Sequence, residues 1–118
     1  MTASPNTIAV SLGEGCAALT LPARLDSALE DTLVRTVEGA LDGSPRVLIL
    51  DFSEVTFTTS AGIGLVVDTL RRGSAREVKV ALAAVRGQPR MVLERIGLGS
   101  HAEFYETVAE ARAPGAGR

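Results

Sequence analysis

Three consecutive hydroxyl side chains, Thr58, Thr59 and Ser60, could each act as a nucleophile or accept a chemical group. They come shortly after an apolar run at residues 47–50, and apolar residues at helical spacing follow them, so Ser60 is predicted to lie at a helix N-terminus. The small residues around Ser60 are Ala61, Gly62 and Gly64. Short neighbours leave a hydroxyl uncovered, and Ser60 is therefore the candidate functional residue.

The other reactive side chains do not form a recognisable catalytic set. His101 is the only histidine and Cys16 the only cysteine, so neither has a second ligand of its kind to share a metal. Ser60 is not in a Gly-x-Ser-x-Gly sequence, which argues against a hydrolase triad with His101. Gly62 and Gly64 lack the third glycine of a dinucleotide-binding loop, since Val67 stands there. We expect no catalytic residue, no metal site and no cofactor.

The elements that would position Ser60 can be predicted from apolar periodicity. The run at 47–50 is continuous and rich in branched residues, which is typical of a central strand covered on both faces. Ile63, Val66 and Leu70 then recur at helical spacing, so a helix is predicted from Ser60, with that serine as its N-cap. Gly73 is predicted to end it.

The flanking segments alternate between strand and helix patterns. Residues 8–12 and 17–20 suit a hairpin, and Ser27 with Glu30 has the spacing of a capping box that opens a helix. The remaining predictions are a strand at 78–82, a helix begun near Pro89, a strand at 104–105 and a helix at 108–112. The expected fold class is α/β, a single domain with a mixed sheet, an antiparallel opening hairpin and parallel later strands.

Composition and charge exclude some classes of protein. The chain has 118 residues and a formal net charge of −2, whereas a general nucleic-acid binder usually carries a basic face. We therefore expect no direct DNA binding. No apolar run approaches the roughly 20 residues that a membrane-spanning helix needs, and a lone cysteine fits a reducing compartment. No membrane insertion and a cytoplasmic location are expected.

Residues 47–67, VLILDFSEVTFTTSAGIGLVV, resemble the signature of STAS domains, the family of bacterial anti-sigma factor antagonists. Residues 19–37 and 85–111 resemble the family's first helix region and its closing segment. The resemblance implies a STAS domain over residues 1–112, with helices packed mainly on one face of the sheet. The tail at 113–118 is expected to be mobile. Two positions depart from the family's Asp-Ser-Ser-Gly: Thr59 stands in place of the Asp and Ala61 in place of the second Ser.

This resemblance implies a non-enzymatic regulator. Its partner would be an anti-sigma factor that is also a serine kinase, and phosphorylation of Ser60 would release that partner in a switching cycle that controls sigma-dependent transcription. Thr59 and Thr58 are alternative acceptors. The partner-binding residues that the resemblance and the small-residue pattern indicate are Asp26, Thr59, Ser60, Ala61, Gly62 and Gly64. A weak homodimer stays open. So does an alternative that the missing acid favours, a STAS-like subunit of an ABC-type lipid or anion transport assembly without a phosphorylation cycle.

Overall fold

A computed structural model describes residues 7–113, in which strands and helices alternate. The strands are β1 (Ala9–Gly13), β2 (Cys16–Thr20), β3 (Arg24–Leu25), β4 (Val47–Asp51), β5 (Phe57–Thr58), β6 (Lys79–Ala83) and β7 (Glu103–Tyr105). The helices are α1 (Glu30–Asp42), α2 (Ser60–Ala75), α3 (Gly87–Arg95) and α4 (Val108–Arg112), with 3₁₀ turns at Ser27–Leu29 and Leu98–Ser100. Apart from Ala113, the tail predicted at 113–118 lies outside the described residues, as do residues 1–6.

The main sheet has five strands in the order β1-β2-β4-β6-β7. Only the opening hairpin is antiparallel, and the other three pairs are parallel. The apolar run forms β4 at the centre of the sheet, as predicted, and its residues 47–50 are buried. Strands β3 and β5 form a separate two-stranded parallel ribbon. The mixed α/β sheet expected from the sequence is confirmed.

The helices cover the two faces of the sheet unequally. Helices α1, α2 and α3 contribute Leu33, Leu65 and Leu93 to the larger core, on the same face as Leu48 of β4. The smaller core on the other face contains Ile49 and is covered by the short α4. Three of the four helices described thus pack on one face, as the fold prediction stated. No helix within residues 7–113 is long and apolar enough to cross a membrane.

The predicted capping box at the start of α1 is wrong by one residue. Asp26, not Ser27, is the N-cap, and it caps the 3₁₀ turn that precedes α1: its backbone is extended and its carboxylate accepts a hydrogen bond from the Ala28 N–H at 3.0 Å. A 3₁₀ turn then leads into α1, whose first turn carries Glu30 and Asp31. These acids are favourable at the positive end of the helix dipole. A helical segment begins at Ser27 as predicted, but its first turn is 3₁₀, its cap is Asp26 and the α-helix itself starts at Glu30.

The predicted end of α2 at Gly73 is also wrong. The helix continues to Ala75, and Gly73 lies inside it, where an added Cβ would come within 2.4 Å of Val80 Cγ2. The glycine therefore permits close packing of α2 on β6. The chain leaves the helix at Glu77, whose φ is +57°, while the Val78 N–H bonds back to the Gly73 carbonyl at 2.8 Å. This is a Schellman motif with a non-glycine residue at its left-handed position.

Replacing Glu77 by Gly should stabilise the protein by about 0.5–1 kcal/mol. A left-handed backbone strains any residue that has a Cβ, and glycine removes that strain at some cost in chain entropy. Urea denaturation would measure the change in the free energy of unfolding. Glu77→Ala is the matched control, because it removes the same charge but keeps the Cβ. An equal gain from Ala would show that charge, not conformation, is responsible.

Ion pairs join α1 to α2. Arg72 pairs with Asp68 on its own helix at 2.7 Å and with Glu38 of α1 at 2.8 Å, and Arg76 pairs with Asp42 of α1. These side chains are a third or more exposed, and pairs of this kind contribute little to stability. Arg72 and Arg76 thus bridge the two helices, whereas Arg71 is exposed.

Candidate functional site

Thr59, not Ser60, caps helix α2. The Thr59 backbone is extended, and its Oγ1 accepts a hydrogen bond from the Gly62 N–H at 3.2 Å. Ser60 is the first helical residue, so the predicted start of the helix is confirmed but the predicted cap is wrong. The difference matters chemically, because Thr59 performs the capping that would otherwise occupy the serine oxygen.

The three neighbouring hydroxyls differ in accessibility. Thr58 is only 3% exposed, and its hydroxyl donates to the Thr59 carbonyl at 3.0 Å. The Thr59 hydroxyl is partly buried and donates to the Leu25 carbonyl at 3.3 Å while it caps the helix. Ser60 is exposed, and within residues 7–113 its Oγ makes no hydrogen bond. Of the three, Ser60 alone presents an uncommitted oxygen to a partner.

Strand β3 holds the start of α2 in place. The Leu25 carbonyl accepts the Thr59 N–H at 2.9 Å, and a Cβ added at Gly62 would lie 2.4 Å from that same carbonyl oxygen. Gly62 therefore permits a close approach of the helix to the backbone of β3. Since Asp26 directly follows Leu25, the fold places Asp26 near the start of α2, where Ser60 lies.

Asp26 has structural contacts beside its proposed partner role. Its carboxylate caps the 3₁₀ turn and also accepts a hydrogen bond from Arg24 Nε at 2.9 Å. The Arg24 guanidinium lies 4.9 Å from the centre of the Phe57 ring, and Phe57 is 40% exposed. Sequence reasoning missed Arg24 and Phe57, because two-residue strands such as β3 and β5 give no periodic signal.

A groove of about 320 Å³ runs beside Ser60 between α2 and the start of α1. Its lining includes Ser27, Glu30, Ala61, Gly64 and Asp68, with Arg72 at one end. A Cβ added at Gly64 would meet no atom within 4 Å, so packing does not require glycine there. The carboxylates of Asp68 and then Glu38 accept hydrogen bonds from Arg72 and raise its pKa, so this guanidinium stays charged. The groove thus offers small residues and paired charges.

Gln88 of α3 fixes the segment just before the site, and no sequence pattern indicated it. Its side-chain oxygen accepts the Thr58 N–H at 2.9 Å, and its side-chain nitrogen donates to the Thr58 carbonyl at 3.0 Å. The amide therefore extends the backbone pairing of β5 from the side opposite β3. Such a clamp between residues 30 positions apart cannot be read from local spacing.

Removing this clamp should destabilise the protein. Gln88→Ala leaves both backbone groups of the buried Thr58 without their partner, and we expect a loss of about 1–2 kcal/mol in the free energy of unfolding. Urea denaturation would measure the loss, and hydrogen exchange should show reduced protection of the Thr58 amide. Met91→Ala is the control, since it shortens an exposed side chain of the same helix. Equal effects of the two substitutions would contradict a role for the clamp.

The remaining reactive residues are not assembled into a site. Cys16 is buried in the smaller core, and His101 is exposed at the end of the second 3₁₀ turn. No group of three potential metal ligands occurs within the part of the chain that the structure describes. Neither residue lines the groove beside Ser60.

Comparison with known proteins identifies the family of this chain. A family model described as the STAS domain matches residues 7–111. No curated protein matches the chain.

Three solved structures with the same fold illustrate the range of proteins that share it. An anti-sigma factor antagonist from Mycobacterium paratuberculosis has a TM-score of 0.78 at 21% identity, with 93% of this chain and 95% of that one covered. The Bacillus cell fate determinant SpoIIAA in its phosphorylated form has a TM-score of 0.70 at 22% identity, with 89% and 96% covered. A sulfate transporter family protein from Wolinella succinogenes has a TM-score of 0.73 at 15% identity, with 84% and 83% covered. At these identities the likeness shows the fold.

Proposed function

Since the chain belongs to the STAS domain family, we propose that it is a non-enzymatic anti-sigma factor antagonist whose partner binding is switched by phosphorylation of Ser60. The partner is an anti-sigma factor with serine kinase activity. The unmodified protein binds this partner and thereby frees a sigma factor for transcription, and the phosphorylated protein is released. The observation that carries the proposal is the exposed, uncommitted Ser60 hydroxyl at the first position of α2.

The contacts of the neighbouring threonines support Ser60 over Thr58 and Thr59 as the acceptor. A kinase must reach the oxygen and align it with a phosphoryl donor, and Thr58 is sealed at 3% exposure. Modification of Thr59 would break both its bond to Leu25 and the cap on Gly62. Phosphorylation of Ser60 would break no hydrogen bond of its hydroxyl among the described residues, 7–113.

Electrostatics supports a switch that acts on association and leaves the fold intact. The first turn of α2 contains no acidic residue, so a phosphate of charge about −1.5 to −2 would sit at the positive end of a helix without a like charge from that turn. Thr59, where the family signature has Asp, caps the helix through a neutral hydroxyl. The phosphate dianion would instead weaken binding, because a partner that covers Ser60 must either desolvate the dianion or place like charge against it.

The surface beside Ser60 supports a docking role for the small residues. Glycine costs a helix about 1 kcal/mol relative to alanine, and Gly64 has no packing contact that requires it. A partner lying along α2 would explain this cost, since a side chain at Gly64 would enter the groove that Ala61 also lines. Asp26 and Gly62 belong to the same surface, Asp26 through its carboxylate and Gly62 through the position it gives the helix.

A second candidate function is a subunit of an ABC-type lipid or anion transport assembly that needs no phosphorylation. Two observations favour it. Residue 59 is Thr where the family signature has Asp, and the fold is shared with a sulfate transporter family protein. In that role the surface around Ser60 would dock on an ATPase and would never be modified. The genes that neighbour this one, sigma and anti-sigma factors or transporter components, distinguish the two.

The direct test combines the protein with ATP and each candidate anti-sigma kinase of its own genome. Intact mass should rise by one phosphoryl group, peptide mapping should locate it at Ser60, and Ser60→Ala should gain nothing. The unmodified protein should form a stable complex with the same kinase. Absence of a complex with every candidate would overturn the proposal, and a complex without phosphoryl transfer would favour the alternative.

A further inference from the structure

Strand β1 is an open edge of the main sheet with an apolar surface. All five of its residues are exposed, with Leu12 74% and Val10 49% exposed. These two are among only five large apolar side chains exposed to this degree within residues 7–113. They lie on the face of the larger core, since they pair with Ala17 and Leu19 of β2. Edges of this kind are usually protected in proteins that remain monomeric.

Within residues 7–113, the phase of hydrogen bonding leaves the backbone N–H and C=O groups of Val10 and Leu12 without a partner. A two-residue loop, Glu14-Gly15, joins β1 to β2, and both loop residues have positive φ. In such a hairpin the residues that flank the loop exchange hydrogen bonds, and bonded pairs then alternate with unbonded ones. Gly13 and Ser11 therefore direct their N–H and C=O groups toward β2. Val10 and Leu12 direct theirs away from the sheet.

The opposite edge of the sheet is protected, which makes β1 the exception. Strand β7 has only three residues, and its Glu103 forms an ion pair with Lys79 at 2.5 Å. Hydrogen bonds from Lys79 and then Tyr105 lower the pKa of Glu103, so this edge carries a charge. Short length and charge are the usual defences against edge pairing. Strand β1 has neither, since residues 7–13 contain no charged side chain.

We propose that β1 pairs in antiparallel fashion with β1 of a second copy of this chain, about a two-fold axis at Ser11. In this register the N–H and C=O groups of Val10 in each copy form hydrogen bonds with those of Leu12 in the other copy. Each apolar side chain then faces an apolar side chain on this face, where β1 contributes no charge. The sequence of β1 is thus complementary to itself, which is the reason to assign a second copy of the chain as occupant. The proposal does not depend on phosphorylation of Ser60.

The other face of β1 carries a cation close to the proposed two-fold axis. Arg112 of α4 lies there, and its guanidinium donates to the carbonyls of Ser11 and Gly13 and to Ser11 Oγ at 3.0–3.1 Å. It therefore supports the strand from the side opposite Val10 and Leu12. One pair of five-residue strands is smaller than a standard protein interface, so the dimer should form with rising protein concentration and dissociate on dilution.

Sedimentation equilibrium of the purified chain over a range of concentrations tests the dimer. The unmodified chain should show monomer and dimer in exchange, and Leu12→Lys should raise the dissociation constant at least tenfold by placing a cation against Val10 of the second copy. Met91→Lys is the control, because Met91 is 49% exposed on α3 and away from the edge. A chain that stays monomeric throughout, as expected if β1 receives a strand of another protein, overturns the proposal. Equal weakening by the two lysines also overturns it.

Disulfide trapping tests the register. Ser11→Cys places two thiols at the two-fold axis in an unbonded pair, where the Cα atoms of antiparallel strands are about 4.5 Å apart, within disulfide range. Mild oxidation should give a covalent dimer. In Ala9→Cys the two thiols would be four residues apart along the strands, roughly 13 Å, so no dimer should form. The native Cys16 is 3% exposed and should not react. A dimer from Ala9→Cys, or none from Ser11→Cys, would overturn the register.

Discussion

Ser60→Asp is expected to weaken binding to the anti-sigma partner by about 30-fold or more while the free energy of unfolding changes by less than about 1 kcal/mol. A misplaced charge in a covered interface commonly costs 2 kcal/mol or more, and 2 kcal/mol corresponds to about 30-fold in affinity. The fold should tolerate the carboxylate, because residue 60 is exposed and the first turn of α2 carries no acid. Isothermal titration with the unmodified partner and urea denaturation measure the two quantities.

Ser60→Asn is the matched control for this substitution, because it has nearly the shape of aspartate without the charge. It should bind within a few-fold of the unmodified protein, as should Ser60→Ala, which loses no cap because Thr59 provides it. If Asn and Asp weaken binding equally, size and not charge operates at this position. A large fall in stability for Ser60→Asp would mean that the N-terminus of α2 does not tolerate a charge, against the proposed switch.

Gly62→Ala is expected to destabilise the protein by about 1–3 kcal/mol. The added methyl would lie 2.4 Å from the Leu25 carbonyl oxygen and 2.4 Å from Thr58 Oγ1, and neither belongs to a flexible side-chain end that can move away. The helix must shift from β3, which is an overpacking strain. Thermal and urea denaturation would measure the loss. The hydrogen bond from the Thr59 N–H to Leu25 should weaken as well, which hydrogen exchange would detect.

Gly64→Ala provides the opposite expectation two residues along the same helix. Its Cβ would enter open space, so the substitution should raise stability by up to about 1 kcal/mol through helix propensity. The same variant should bind the partner less well if Gly64 belongs to the docking surface. A loss of stability in both variants would contradict the packing difference between the two glycines.

Both cap predictions failed in the same way. At Asp26 and Ser27, and again at Thr59 and Ser60, two adjacent residues can each cap a helix, and the first of the two does so. The choice depends on which residue has the extended backbone, and this is set by the pairing of β3 with β5. Local spacing does not contain that information. The patterns therefore located each helix start but not the residue that caps it.

The reliable predictions came from strong periodicity, and the missed features came from contacts between distant residues. The buried run of β4 is continuous and rich in branched residues, and the apolar stripe of α2 has the helix period, so few other structures fit them. Gly73 was taken for a helix end because its contact with Val80 is invisible in local sequence. Gln88 was missed for the same reason. The roles assigned to Ser60 and its neighbours in partner binding stay predictions.

The position of α4 in chain order has a consequence for synthesis on the ribosome. Val108–Arg112 covers the smaller core, to which β2, β4 and β6 contribute Cys16, Ile49 and Ala81. Those strands leave the exit tunnel before the helix that covers them, so this face of the sheet stays exposed to solvent in the nascent chain. Because most side chains on this face are small, the apolar surface area that chaperones or neighbouring nascent chains can bind during that interval is limited.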